Sequence, residues 1–148
     1  MAVTQAGRLP AKGRPDRPQV AAVMAVGCLI VVAFQAALAL GAPLGAAAQG
    51  GANVGKLPDG PRVVAALFAL AWLIITLIVL ARGGFGARLL PSAVARWGAW
   101  ILVSLFCVAT LLNFASPSPW ERFGWAPFSL AMLVLSIALA RSGSASSR

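Results

Sequence analysis

Histidine and tyrosine are absent from the 148 residues, and the only acidic side chains are Asp16, Asp59 and Glu121, far apart in the chain. Without histidine the commonest general base is missing, which excludes catalysis built on it. Metal sites need clustered His, Cys or carboxylate ligands. Two cysteines and three distant acids supply no such cluster, so neither a metal nor another cofactor is expected. Charged residues make up 10% of the chain and apolar ones 60%, against about 25% and 45–50% in an ordinary soluble domain. So few charges cannot coat a compact body in water, and a soluble monomer is excluded. Cys28 and Cys107 form no Cys-x-x-Cys pair, which separates the chain from membrane disulfide oxidoreductases. In the topology derived below their depths differ by roughly 9 Å, beyond the reach of a disulfide. Both read as small buried hydrophobes.

What the chain does have is long apolar runs. Residues 20–40 carry no charge and one strong polar group, Gln35, and at helical rise they span roughly 30 Å, the thickness of a hydrocarbon core. Residues 63–81 hold only Thr76 as a polar group and are framed by Pro61 and Arg62 before and Arg82, Gly83 and Gly84 after. Residues 94–112, entered through Arg96, Trp97 and Trp100, form a third run that fades at Asn113. The fourth apolar run, 126–140, is short for a membrane. Upstream of it, however, Ser118, Pro119 and Glu121 stand at the N-cap, first and third helical positions of a capping box. A helix over 119–140 is long enough, with Pro127 inside it loosening a turn near Phe123 and Gly124. In the alternative, the helix starts near Pro127 and Trp120 to Trp125 lie along the membrane surface. Apolar character on every face argues against alternating barrel strands. The expected fold is all-α, a four-transmembrane-helix bundle (20–141) between a disordered basic tail (1–19) and a disordered serine-rich tail (142–148).

Lysine and arginine orient the chain. The N-terminal tail, the second loop and the C-terminal tail hold nine of the twelve, and the first and third loops hold Lys56, Arg62 and Arg122. Positive flanks stay on the cytoplasmic side, so both termini are expected there, with the first and third loops external. Trp97 and Trp100 then fall at the inner headgroup level and Trp120 and Trp125 at the outer one, while Trp72 falls mid-membrane, where helix packing explains it. The same distribution argues against nucleic acid as a partner, because the basic residues flank apolar runs rather than forming a phosphate-binding patch. The basic tail is drawn to anionic inner-leaflet lipid. A cleaved signal peptide ending before Gln49 is the competing reading of the first run, which is longer than a typical secretory core of about 7–15 residues.

The spans hold no ionisable residue away from their ends, which removes the usual coupling device of a proton-driven transporter. Their polar groups are Gln35, Thr76, Ser104, Thr110, Asn113, Ser129 and Ser136. Ser104, Cys107, Thr110 and Asn113 recur every three residues, a step that smears them over half a helix rather than along one stripe. Gln35 and Asn113 both fall toward the external ends, placed to bond each other as interhelical glue or to meet a ligand. Ala33, Ala37 and Gly41, then Ala65 and Ala69, then Ala95 and Ala99 repeat at the spacing that lets helices approach closely. The first loop is longer than a bundle connection needs. In the third, Trp120, Glu121 and Arg122 either form a small external site with the first loop or serve as a helix cap and a snorkelling cation.

With GAPLGAAAQGG and LPDGPR in the first external loop and WERFGWAP before the fourth span, the chain resembles small bacterial four-span integral membrane proteins of unknown function. The resemblance follows span order over residues 34–140 and residue identity in those pieces. It implies a complete protein of the bacterial inner membrane and transfers no catalytic residue. The leading functional expectation is a non-enzymatic membrane protein acting through helix contacts, as a homo-oligomer or a small subunit of a membrane complex. The alternative is a binder or mover of a lipid or apolar small molecule, through a cavity facing the outer leaflet near Gln35, Asn113 and Trp120. A membrane enzyme, resting on Glu121 and Arg122 alone, comes third.

Overall fold

The computed structural model describes residues 17–86 and 90–142. The basic tail through Asp16, Arg88 of the second loop and the serine-rich end from Gly143 onward lie outside them. Within the described residues the chain is all-α: α1 (Arg17–Leu40), α2 (Asp59–Gly83), α3 (Ser92–Ala115) and α4 (Ala126–Arg141), the last led by a π-helical turn (Glu121–Trp125). Four helices are long and apolar enough to cross a membrane, the fourth as Glu121–Arg141 with its π turn. The architecture is that of a multi-pass membrane protein. Arg62 Nε at the start of α2 donates to the Ala39 carbonyl at the end of α1 (3.0 Å), and Arg17 Nε at the start of α1 donates to the Arg82 carbonyl at the end of α2 (2.5 Å). These two bonds pin α1 and α2 as an antiparallel pair. The closest helix pairs are α1 with α2 and α3 with α4, so the bundle is two hairpins laid side by side. The first and third loops share one end, and the second loop shares the other with Arg17 and Arg141.

Helix ends follow from local chemistry. At the close of α2, Gly84 adopts φ +99° and the Phe85 N–H reaches back to the Leu80 carbonyl (3.0 Å). This is the left-handed glycine stop that satisfies orphan carbonyls. Ahead of α4, Ser118 Oγ accepts the Glu121 N–H (3.3 Å), as its N-cap position requires. Helical backbone then runs through 119–141. The loosened turn expected upstream of Pro127 is the π turn, in which the Ala126 N–H bonds the Glu121 carbonyl five residues back. Pro127 has no N–H to continue the ordinary ladder, and one wide turn absorbs that loss. Buried positions accordingly step from Glu121 to Ala126 by five, then through Ser129, Met132, Ser136 and Leu139 by three or four.

Packing inside a membrane cannot draw on an apolar driving force between helices, so close fit and dispersion hold them together. Met24, Cys28, Val79, Leu102, Phe106, Met132 and Leu139 form the larger core, toward the end that holds the termini. Two glycines allow its closest approaches: a Cβ on Gly83 of α2 would sit 2.2 Å from the Ala21 Cβ of α1, and one on Gly27 of α1 would sit 2.4 Å from the Met132 sulfur of α4. A smaller core of Leu38, Ala48, Leu57 and Ala65 closes the opposite end beneath the first loop. Trp72, assigned mid-membrane, packs its ring against Phe106 with centroids 5.5 Å apart. The two cysteines differ: Cys28 is buried, but Cys107 is exposed on the outer face of α3. That corrects the expectation of burial for Cys107, which sits one face away from buried Phe106 and Thr110.

Gly83→Leu is expected to destabilise the bundle by about 1–3 kcal/mol, the usual cost of overpacking a filled contact. Gly124→Ala, where an added Cβ meets nothing within 4 Å, is expected to stay within about 0.5 kcal/mol of wild type. Unfolding by denaturing detergent, followed by helical circular dichroism, checks both.

Candidate functional site

Hydroxyls in the spans are occupied by their own helices. Thr76 donates to the Trp72 carbonyl (2.8 Å), Thr110 to Phe106 (2.6 Å), Ser104 to Trp100 (3.4 Å), Ser129 to Ala126 (3.0 Å) and Ser136 to Leu133 (2.7 Å). Such back-bonding leaves a hydroxyl little to offer a neighbour. The two amides behave differently. Asn113 Nδ2 reaches Ser129 Oγ at 3.5 Å across the α3–α4 contact, a length that marks a weak bond. The expected Gln35–Asn113 bond is not made. Gln35 enters no hydrogen bond among the described residues, and both amides face a cavity of about 210 Å³ between the two hairpins.

This cavity separates the two cores. Phe106 and Val31 bound it on one side, Leu38 and Ala48 on the other, and Gln49 and Ala47 of the first loop cover it. An aromatic wall closes the gap between α1 and α4. Phe34 and Trp125 lie with centroids 4.7 Å apart, and Trp125 meets Phe128 edge-on at 5.4 Å. Beside this wall a shallower cleft, lined by Phe34, Trp125, Phe128 and Trp120, opens outward. The cavity exceeds the roughly 150 Å³ of a site known to hold benzene. Its polar groups (Gln35, Gln49, Asn113, Ser129 and Glu121) stand among aromatic and aliphatic side chains, the mixture typical of small-molecule sites.

The cover over the cavity is held by one carboxylate. Glu121 is 8% exposed; its Oε1 accepts the Gly50 N–H of the first loop (2.9 Å) and its Oε2 accepts the Ser116 hydroxyl (2.5 Å). Ser116 Oγ in turn accepts the Ser118 N–H (3.1 Å). The reciprocal half of the capping box is thus relayed through Ser116, which frees the carboxylate to reach the loop. Ser118 Oγ donates to the Ala46 carbonyl (2.7 Å) and Trp125 Nε1 to the Ala47 carbonyl (3.0 Å). Gln49, Gly50 and Gly51 all take positive φ, presenting the Gly50 N–H to Glu121. Leu57 and Ala48 bury themselves beneath the loop. The long first loop is a packed cover.

Of the residues singled out by sequence, Gln35, Asn113 and Glu121 come together around the cavity. Trp120, 67% exposed, stands at the outer cleft. Arg122 is exposed and turned away, its Nη2 on the Ser116 carbonyl (2.7 Å). Glu121 and Arg122 therefore do not act as a pair, and the ion pair found among the described residues is Arg62–Asp59 at 3.2 Å. Sequence reasoning missed Ser116, Phe34 and Phe128, and placed Trp125 only at the headgroup level. The repeated Ser-Pro at 116–119 was the available signal for a second hydroxyl at the cap. Among the described residues, no three of His, Cys, Asp and Glu gather where they could hold a metal. No known family, curated protein or solved structure matches this chain.

Glu121→Ala is expected to cost about 2–3 kcal/mol, because it leaves a buried hydroxyl and a backbone N–H without their charged acceptor. Glu121→Gln, which keeps one acceptor oxygen, should cost less. Thermal unfolding together with hydrogen exchange at Gly50 measures both, exchange rising most in the alanine variant.

Proposed function

We propose that this is a multi-pass protein of the bacterial inner membrane that holds a small amphiphile, an apolar body with hydrogen-bonding groups, in the cavity under the first loop. The observation that carries the reading is the position of the two span amides. Thr76, Ser104, Thr110, Ser129 and Ser136 each have a partner, whereas Gln35 faces open space and Asn113 makes only one long bond. The aromatic wall suits the apolar part of such a ligand. Glu121, already engaged by Ser116 and Gly50, shapes the cover. With the first and third loops external, as the lysine and arginine distribution implies, the cavity lies at the depth of the outer leaflet, and the cleft beside Trp120 gives a path from lipid. Action through helix contacts, as a homo-oligomer or complex subunit, is the second reading. Ala65, Ala95 and Ala99 are consumed within the bundle, but Ala33 of α1 is exposed on its outer face, which supports it.

Native mass spectrometry of the full chain, extracted from its own membrane in mild detergent, tests the first reading. Wild type is expected to retain one small molecule beyond exchangeable lipid. Ala109→Phe, which fills the cavity from α3, is expected to lose it while keeping its helical content. Equal bound material on both proteins, or none on wild type, counts against the cavity. A discrete dimer or a co-extracted protein subunit supports the contact reading instead.

A further inference from the structure

The opposite end of the bundle carries a second feature, independent of the cavity. Arg82, in the last turn of α2, is 6% exposed. Its Nη2 donates to the Ala140 carbonyl near the end of α4 (3.2 Å), and its own carbonyl accepts from Arg17 Nε. Those contacts account for cations at helix C-termini, where carbonyls lack partners. They do not account for what remains. The Arg82 Nε–H is shielded from solvent and has no acceptor among the described residues. The charges of Arg17 and Arg96 both bear on the same guanidinium. Arg17 at the start of α1, bonded to the Arg82 backbone, and Arg96 near the start of α3 thus lie at the same end of the bundle as Arg82. The described carboxylates, Asp59 and Glu121, lie at the other end of the bundle. A buried cation is ordinarily matched by an anion. An unpartnered guanidinium N–H with two further arginines at the same end of the bundle suits a group with multiple acceptor oxygens, as a phosphate has.

We propose that Arg17, Arg82 and Arg96 form a binding site for a net-negative phosphate, supplied by an anionic lipid headgroup or as free inorganic phosphate. With both termini cytoplasmic, the site lies at the inner headgroup level, where anionic lipid is at hand. Arg82 is the buried anchor, fixed by the Ala140 carbonyl. Arg96, exposed at the start of α3, and Arg17 flank it.

The test uses the full chain in mild zwitterionic detergent. Phosphatidylglycerol, phosphatidylcholine and inorganic phosphate are added separately, with the thermal unfolding midpoint and the native mass as readouts. Phosphatidylglycerol is expected to raise the midpoint and stay bound; phosphatidylcholine is not. If inorganic phosphate reproduces the rise, the phosphate itself is the ligand; if only the lipid does, the headgroup is its source. Arg82→Gln is expected to abolish the response. Arg96→Gln, which removes an exposed side chain and leaves packing intact, is expected to weaken apparent affinity about five-fold, the loss of one basic residue at an anionic surface. Lys56→Gln at the far end is expected to change nothing. No rise with either anion, an equal rise with phosphatidylcholine, or an undiminished response in Arg96→Gln overturns the proposal. So does a response seen only in Asp16→Asn, since it would mean that the chain's own carboxylate fills the site.

Discussion

A backbone amide or carbonyl that meets hydrocarbon must find its partner inside the protein, because no water is present to supply one. Most of this structure is a response to that demand. The apolar runs become helices whose ladders close on themselves, and the hydroxyls along them bond back to their own carbonyls. Irregular backbone is held to the ends. The interruption of a ladder seen among the described residues, the π turn ahead of Pro127, falls beside Ser116, Ser118 and the first loop. There side chains and turns are available to meet the displaced groups.

Because lipid competes with protein for apolar contact, the bundle is close only where small residues permit it. Gly27 and Gly83 draw α1 against α4 and α2 at the end holding the larger core. Toward the loops the facing residues are large: Phe34, Phe68, Trp72, Phe106 and Trp125 all border the cavity. Bulky aromatics hold the hairpins apart there, and the first loop folds over the space they leave. Tight contact at one end and an open interior at the other have one origin, the uneven placement of glycine and aromatic residues along the chain.

Much of the architecture was legible in the sequence because composition alone decides the solvent. Runs without charge, of membrane length, admit only helices here, and Ser118, Pro119 and Glu121 marked the start of the last one. Pro127 announced its disturbed turn. The meeting of Gln35, Asn113 and Glu121 was legible in part, since all three were assigned to the external ends. Their surroundings were not. The path of residues 41–58 depends on long-range bonds from Glu121, Ser118 and Trp125, and no local periodicity encodes those. Adjacent residues of a helix point about 100° apart, but spacing does not reveal that Glu121 is the one turned inward and Arg122 the one turned out. A wide turn changes the angle between successive side chains, so a helical wheel drawn with regular geometry misplaces them. The exposure of Cys107 likewise depends on which neighbour covers α3.

That wide turn has a consequence for how the molecule divides its tasks. One additional residue in a helix rotates everything beyond it by about 100° relative to an unbroken one. Glu121 and Ala126 are thereby brought onto the same inward face, although five positions separate them. Side chains before the turn are indexed to the lid, and those after it to the three other rods. The two surfaces need not share a single helical phase, so contact with the lid and fit among the rods are set by separate side chains on either side of the turn.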